Sequence, residues 1–188
     1  MTDDHRYWLR LAVLGKLVRD APSPPLGRTA IMKLAYFLQV LRGVGLGYNF
    51  RLYTYGPFDS GVLDDLAQAE TLDVISSKRV DKQDSYGYEF SAGESQPFVE
   101  KRAGGDWEVV SREVDWVLDR FGHCAVSELE LLSTIVYIDR ETVRSSDQIT
   151  RAKLQERARE IKPRFDLPEI DSAIDRLRDD ALLQATTP

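Results

Sequence analysis

The chain has 188 residues, 43% of them hydrophobic and 30% charged, with a formal net charge of −6. This balance is that of a chain folding around one core or two small ones, and it excludes a low-complexity, disordered segment. The longest apolar run is Leu34–Leu38, far short of the roughly 20 residues of a membrane-spanning helix. Cys124 is the single cysteine, so no internal disulfide is expected.

Tyr7, Leu11, Leu14 and Val18 recur at helical spacing, with Trp8 and Leu17 beside them, and predict an amphipathic helix over residues 4–19. Pro22, Pro24 and Pro25 end it, and Gly27 opens the next element. Thr29 is the expected N-cap of a second helix, whose inner face carries Ile31, Leu34, Ala35, Leu38 and Leu41. That helix stops in Gly43-Val-Gly-Leu-Gly47, where glycine supplies a left-handed turn. Tyr48–Tyr55 reads as one strand, closed by Gly56-Pro57. Asp59 or Ser60 then caps a third helix carrying Val62, Leu63, Leu66 and Ala69. The β-prone stretches Asp73–Val80 and Tyr86–Phe90, joined by Asp81–Ser85, predict a hairpin.

The following stretch ends in two adjacent glycines and reads as a linker over residues 93–105. Beyond it, Trp107, Val110, Val114, Val117, Leu118 and Phe121 outline a helix. Ser127-Glu-Leu-Glu130 has the form of a capping box opening a helix with Leu129, Leu132, Ile135 and Val136, apolar enough to be buried on several sides. A charged helix near 148–161 follows. Asp166-Leu-Pro-Glu169 caps the last one, with Ile170, Ala173, Ile174, Leu177 and Ala181 at core spacing. The expected fold class is mainly α (α+β): a winged helix-turn-helix with an inserted strand and a β-hairpin wing over residues 1–92, then a helical subdomain over 106–188.

Residues that carry chemistry are scarce. His5 lies in an expected frayed terminus. His123 and Cys124 are sequence neighbours, whereas a nucleophile and its base normally converge from separate elements. One cysteine and two distant histidines cannot supply a tetrahedral zinc site. Glu128, Glu130, Asp139 and Glu141 are accounted for by capping and solvation. Gly43-x-Gly45-x-Gly47 follows a helix and precedes a strand, the reverse of a dinucleotide loop, and Gly15-Lys16-Leu17 lacks the Walker glycine and hydroxyl. No catalytic residue, metal or cofactor is expected. The start, Met1-Thr-Asp-Asp-His5, has neither the basic nor the apolar region of a secretory signal, so a cytoplasmic location is expected.

Charge is uneven. Residues 1–58 hold eight Lys/Arg against three Asp, a net +5, and the remainder carries −11. A basic lobe on an acidic body is suited to an anionic partner on one side, although solvated surface charge gives the same pattern.

The segment Leu26-Gly-Arg-Thr-Ala-Ile-Met-Lys-Leu-Ala-Tyr-Phe-Leu-Gln39, followed by Phe50–Phe58 with its Tyr55-Gly-Pro-Phe58, resembles the Panacea-type (SocA-like) antitoxin and adaptor proteins. It resembles still more the related uncharacterised winged-helix proteins that pair such a helix with a tyrosine-glycine-proline corner. Lys162-Pro-Arg-Phe165, followed by Ala173-Ile-Asp-Arg-Leu177, is similar to the closing segment of that group. The resemblance implies a bacterial fold and a genomic habit of pairing with toxins, and it brings no catalytic residue. Tyr36, Phe37, Tyr55, Gly56, Pro57 and Phe58 are read as structural, with Tyr36 and Phe37 packing on the sheet and Pro57 presetting the turn into the third helix.

Two functions follow as expectations. One is a non-catalytic regulator, antitoxin-like or adaptor-like, that binds a protein partner, with a toxin encoded nearby among the candidates. Its candidate surface is Asp59, Val62, Asp64, Asp65 and Glu70 beside Tyr48, Tyr53 and Tyr55, an acidic and aromatic patch suited to a basic protein. The alternative is a DNA-binding transcriptional regulator. The third helix carries four acids and no Lys or Arg, so DNA contact would instead run through Arg28 and Lys33 and through Lys78, Arg79 and Lys82 of the wing.

Overall fold

A computed structural model describes residues 2–22, 25–82 and 85–187, apart from the side chains of Lys82, Ser85, Thr186 and Thr187. Pro24 and Asp84 lie outside the described residues. The fold is mainly helical α+β: among the described residues, eight α-helices alternate with small two-stranded pairings. The chain divides into two units, Met1–Phe50 with Asp59–Cys124, and Arg51–Phe58 with Ala125–Pro188. These units are not the stretches on either side of residues 93–105.

In the first unit, α1 (Asp3–Asp20) starts at Thr2, whose hydroxyl accepts the His5 N–H at 3.3 Å. Asp3 and Asp4 sit at the positive end of the helix and Arg19 at the negative end. The terminus expected to fray is therefore capped. Leu9 and the run Leu11–Val18 are buried, so α1 is enclosed on all sides instead of being two-faced. It packs against α2 (Arg28–Leu41), α3 (Ser60–Thr71), α4 (Gln96–Arg102), α5 (Trp107–Phe121) and strand β4 (Ser85–Ala92). A lysine in such a helix must be paired. Lys16 Nζ accordingly lies 2.7 Å from Asp20 and 2.6 Å from Asp115.

Helix α2 starts two residues earlier than expected. Gly27 is its N-cap, without a side-chain bond, and Thr29 lies inside the helix. Its Ala30–Leu38 are buried, Lys33 included. Tyr36 stands edge-on to Phe50, centroids 5.1 Å apart, and Phe37 stacks on Phe121 of α5 at 4.3 Å. The helix ends as expected: Gly43 takes φ +67° and the Val44 N–H reaches back to the Leu38 carbonyl at 3.2 Å.

Asp59 caps α3 by accepting the N–H groups of Gly61, at 2.7 Å, and Asn49. β3 (Ile75–Lys82) pairs antiparallel with β4, Ile75 opposite Ala92 and Lys82 opposite Ser85. The stretch expected as a linker holds α4 and the 3-10 turn Gly104–Asp106, and Val99 and Ala103 join the core of this unit.

In the second unit, the expected single strand Tyr48–Tyr55 is a short hairpin. β1 (Arg51–Tyr53) pairs antiparallel with β2 (Gly56–Phe58) across a two-residue turn, while Tyr48 and Phe50 remain with the first unit. Helix α6 (Val126–Arg144) follows Ala125, with no side-chain cap. The capping box expected at Ser127–Glu130 does not form, because Ser127 already lies inside the helix and Glu130 turns inward. β5 (Ile149–Thr150) leads into α7 (Arg151–Ile161), capped by Thr150. α8 (Leu167–Asp179) has the expected box: Asp166 Oδ1 accepts the Glu169 N–H and Glu169 Oε2 accepts the Asp166 N–H, both at 2.8 Å. Ala181, expected in the core, is exposed beyond the end of α8. β6 (Thr186–Thr187) runs parallel to β5. Asp139, fully buried on α6, accepts the Gln184 and Ala185 N–H groups at 3.0 and 2.8 Å and fastens this last segment.

Gly93 marks the tightest approach. A Cβ there would stand 2.1 Å from the Asp73 carbonyl oxygen and 2.6 Å from its carbon. Backbone cannot step aside as a flexible side chain can. Gly93→Ala is expected to lower unfolding free energy by about 2–3 kcal/mol in urea titrations. An unchanged midpoint would mean that the α3–β3 corner moves freely.

Candidate functional site

The strongest constellation lies in the second unit, where a buried charge cluster holds the β1–β2 hairpin. Lys162, at the end of α7, donates from Nζ to the Thr54 carbonyl of the hairpin turn at 2.8 Å. The same nitrogen lies 3.7 Å from Glu130 Oε2, and the Arg164 guanidinium donates to that oxygen at 2.5 Å. Lys162 and Glu130 are 3% and 4% exposed. Burial pushes the Lys162 ammonium below its ordinary pKa, and the Glu130 carboxylate opposes that shift. The turn itself presses on α6. Gly56 has φ +91°, and a Cβ there would meet Thr134 Oγ1 at 3.0 Å and the Glu130 carbonyl oxygen at 3.3 Å. Pro57 is buried beside it. The two sequence motifs, Tyr55-Gly-Pro-Phe58 and Lys162-Pro-Arg-Phe165, thus meet in one place.

What the clamp leaves outside is aromatic. Tyr53 and Tyr55 are 60% and 61% exposed, Arg51 is exposed, and Tyr53 leans on the half-buried Phe58 with ring centroids 5.4 Å apart. Tyr55 and Phe58, read from sequence as structural, therefore border a surface, while Gly56 and Pro57 keep the structural role.

The acidic surface expected on α3 is largely absent. Val62 is fully buried, and Asp65 is 6% exposed. Asp65 Oδ2 accepts the Tyr48 hydroxyl at 2.8 Å, and Arg10 Nε lies 3.0 Å away without being aimed for a hydrogen bond. Burial raises the Asp65 carboxyl above its usual pKa, with Tyr48 and Arg10 opposing. Asp59 is spent on backbone N–H groups. Asp64 is exposed and Glu70 half-buried, and these two alone keep the expected character.

The expected basic lobe is also reduced. Arg6, Arg10, Lys16, Arg19 and Arg42 pair with Asp3, Asp65, Asp20 and Asp115, Asp20 and Glu100, and Glu113. Lys33, 1% exposed, cannot meet a nucleic acid. Arg28, Lys78 and Arg79 are exposed, and Lys82 ends β3. Glu128 pairs with Arg176 at 2.5 Å and Glu141 with Arg144 at 2.5 Å. Among the described residues no group of three or more His, Cys, Asp or Glu is placed to hold a metal ion. His123 is exposed, and Cys124 is half-buried, with Sγ 4.0 Å from the Arg120 carbonyl. His5 lies 3.5 Å from Asp106. No single helix among the described residues is long and apolar enough to cross a membrane.

Compared with protein-family models and with curated proteins, the chain matches none.

Sequence reading named Glu130, Lys162, Asp139 and Asp65 but did not foresee their burial. A signal existed: an acid in a helix apolar on several sides needs a cation or backbone donors.

Two predictions test these charge placements. Glu130→Ala leaves the Lys162 ammonium buried beside a single carbonyl and should cost about 3–5 kcal/mol, whereas Arg164→Ala, removing a half-exposed partner, should cost about 1 kcal/mol or less. Equal losses in denaturant titrations would contradict this ranking. Asp65 gives a pH signature. Its raised pKa means that the folded state holds the proton more tightly than the unfolded chain, so this contribution to stability falls as pH rises through that window. Wild type should therefore gain on Asp65→Asn as pH drops from about 7 to about 4. A constant difference would show that burial does not govern this carboxyl.

Proposed function

We propose that the chain is a non-catalytic regulator that binds a protein partner, antitoxin-like or adaptor-like, and that its first unit is a winged helix. The element order of that unit, three helices followed by the β3–β4 hairpin, supports the second part. The observation that carries the first is the pair Tyr53 and Tyr55, held out at 60% and 61% exposure on a turn fixed by buried charge. Tyrosine offers large contact area for little rotamer entropy, and aromatic and arginine side chains dominate interface energetics. A turn held by Lys162 and Gly56 has little left to lose on docking. The reading thus moves the partner surface from α3 to the hairpin.

DNA binding through α3 is disfavoured by its chemistry, since its exposed Asp64 would face phosphates.

The test is co-expression with the product of the neighbouring open reading frame. Tyr53→Ala combined with Tyr55→Ala should weaken a co-purifying complex by about 100-fold or more, the scale of two interface anchors, while leaving thermal stability within about 0.5 kcal/mol of wild type. A complex that forms with unchanged affinity would remove the hairpin from the account.

A further inference from the structure

The β3–β4 hairpin of the first unit carries a second surface, independent of the tyrosine hairpin. Cross-strand register puts Arg79 opposite Tyr88 and Asp81 opposite Tyr86, so these four side chains share one face. Arg79 lies over the Tyr86 ring with its guanidinium carbon 4.2 Å from the centroid. Arg28, the first residue of α2, lies over the Tyr88 ring at 3.8 Å. The two rings stand edge to face, centroids 5.8 Å apart, with an interplanar angle of 80°. The result is a ladder, Arg28–Tyr88–Tyr86–Arg79, in which Tyr86 is 55% exposed and both arginines are exposed.

The ladder puts two exposed guanidinium groups beside the rings. Among the described residues Arg28 makes no ion pair. Arg79 meets only Asp81, at 3.2 Å, with both side chains well exposed, a contact that water screens heavily. A guanidinium over a ring still has N–H groups to offer, and these fit phosphate oxygens. The exposed Tyr86 ring beside such groups combines an aromatic surface with anion binding, the two requirements of a single nucleic-acid strand. Paired bases hide their faces, so a duplex would use only the guanidinium edges. Stacking on a base and guanidinium–phosphate contact use only groups that DNA supplies, with no call on a 2′-hydroxyl.

From this we infer that the Arg28–Tyr88–Tyr86–Arg79 ladder is a docking surface for single-stranded DNA.

The measurement is fluorescence anisotropy of labelled oligothymidylate, titrated with the full chain at low salt and competed with unlabelled oligothymidylate, oligouridylate or a duplex of equal length. The strand should saturate, and oligothymidylate should compete at least about tenfold better than duplex, because stacking is available only to unpaired bases. Tyr86→Ala should weaken binding about tenfold, and Tyr86→Phe should restore it, because the ring stacks and the hydroxyl does not. Arg28→Ala and Arg79→Ala should each weaken binding and flatten its salt dependence by about 0.7 in the log–log slope. Absence of saturable binding, equal affinity for duplex, or a Tyr86→Ala variant that binds like wild type would overturn the inference. Tighter competition by oligouridylate would overturn the assignment to DNA. Partner binding through Tyr53 and Tyr55 is scored separately, so either surface can fail without the other.

Discussion

An ammonium group removed from water must be matched by acceptors on every side it presents, and Lys162 is matched by two that are far apart in sequence. The Thr54 carbonyl comes from a hairpin turn more than a hundred residues earlier, and the Glu130 carboxylate comes from the first turns of α6. Ionic burial of this kind seldom adds net stability over an apolar pair, yet breaking it is costly. Its consequence here is geometric. It fixes a short hairpin that buries little surface of its own and that would be marginal alone. Gly56 completes the fit, because only a residue without a side chain lets the turn lie on α6 at φ +91°.

The same economy runs through the other acids. Asp139 fastens the segment before β6, Asp65 receives the Tyr48 hydroxyl, Asp59 caps α3, and Asp20 and Asp115 receive Lys16. Charge that looks in sequence like a surface pattern is used internally. Among the groups left outside are tyrosines with arginine neighbours, in the β1–β2 hairpin of one unit and the β3–β4 hairpin of the other. Both proposed binding roles rest on those tyrosines.

Much of the local architecture was legible. The helix ending at Gly43, the α8 capping box, the β3–β4 hairpin and the α5 core positions follow from turn chemistry and periodicity. The failures share a cause. Thr29 and Ser127 are good capping residues, but propensity yields to where neighbouring backbone bonds begin, so Gly27 and Ala125 hold those places. The Tyr48–Tyr55 run has strand composition, and nothing local reveals that Thr54 and Tyr55 form a turn stabilised by Lys162. Asp65 reads as solvated because Asp64 beside it is, yet one step along a helix rotates a side chain by about 100°. Long-range pairing is invisible to periodicity, and the candidate site is made of it.

The central claim is that a buried lysine holds the tyrosine hairpin in place, and hydrogen exchange tests it most directly. In wild type the hairpin amides at Tyr53 and Gly56 should be protected about as well as those in the middle of α6. In Lys162→Met, which removes the charge and keeps much of the volume, protection across 51–58 should fall about 100-fold as the turn opens locally, while the α1 and α2 amides keep theirs. Hairpin protection that survives the substitution unchanged would contradict the account, since the turn would then be held by something other than Lys162.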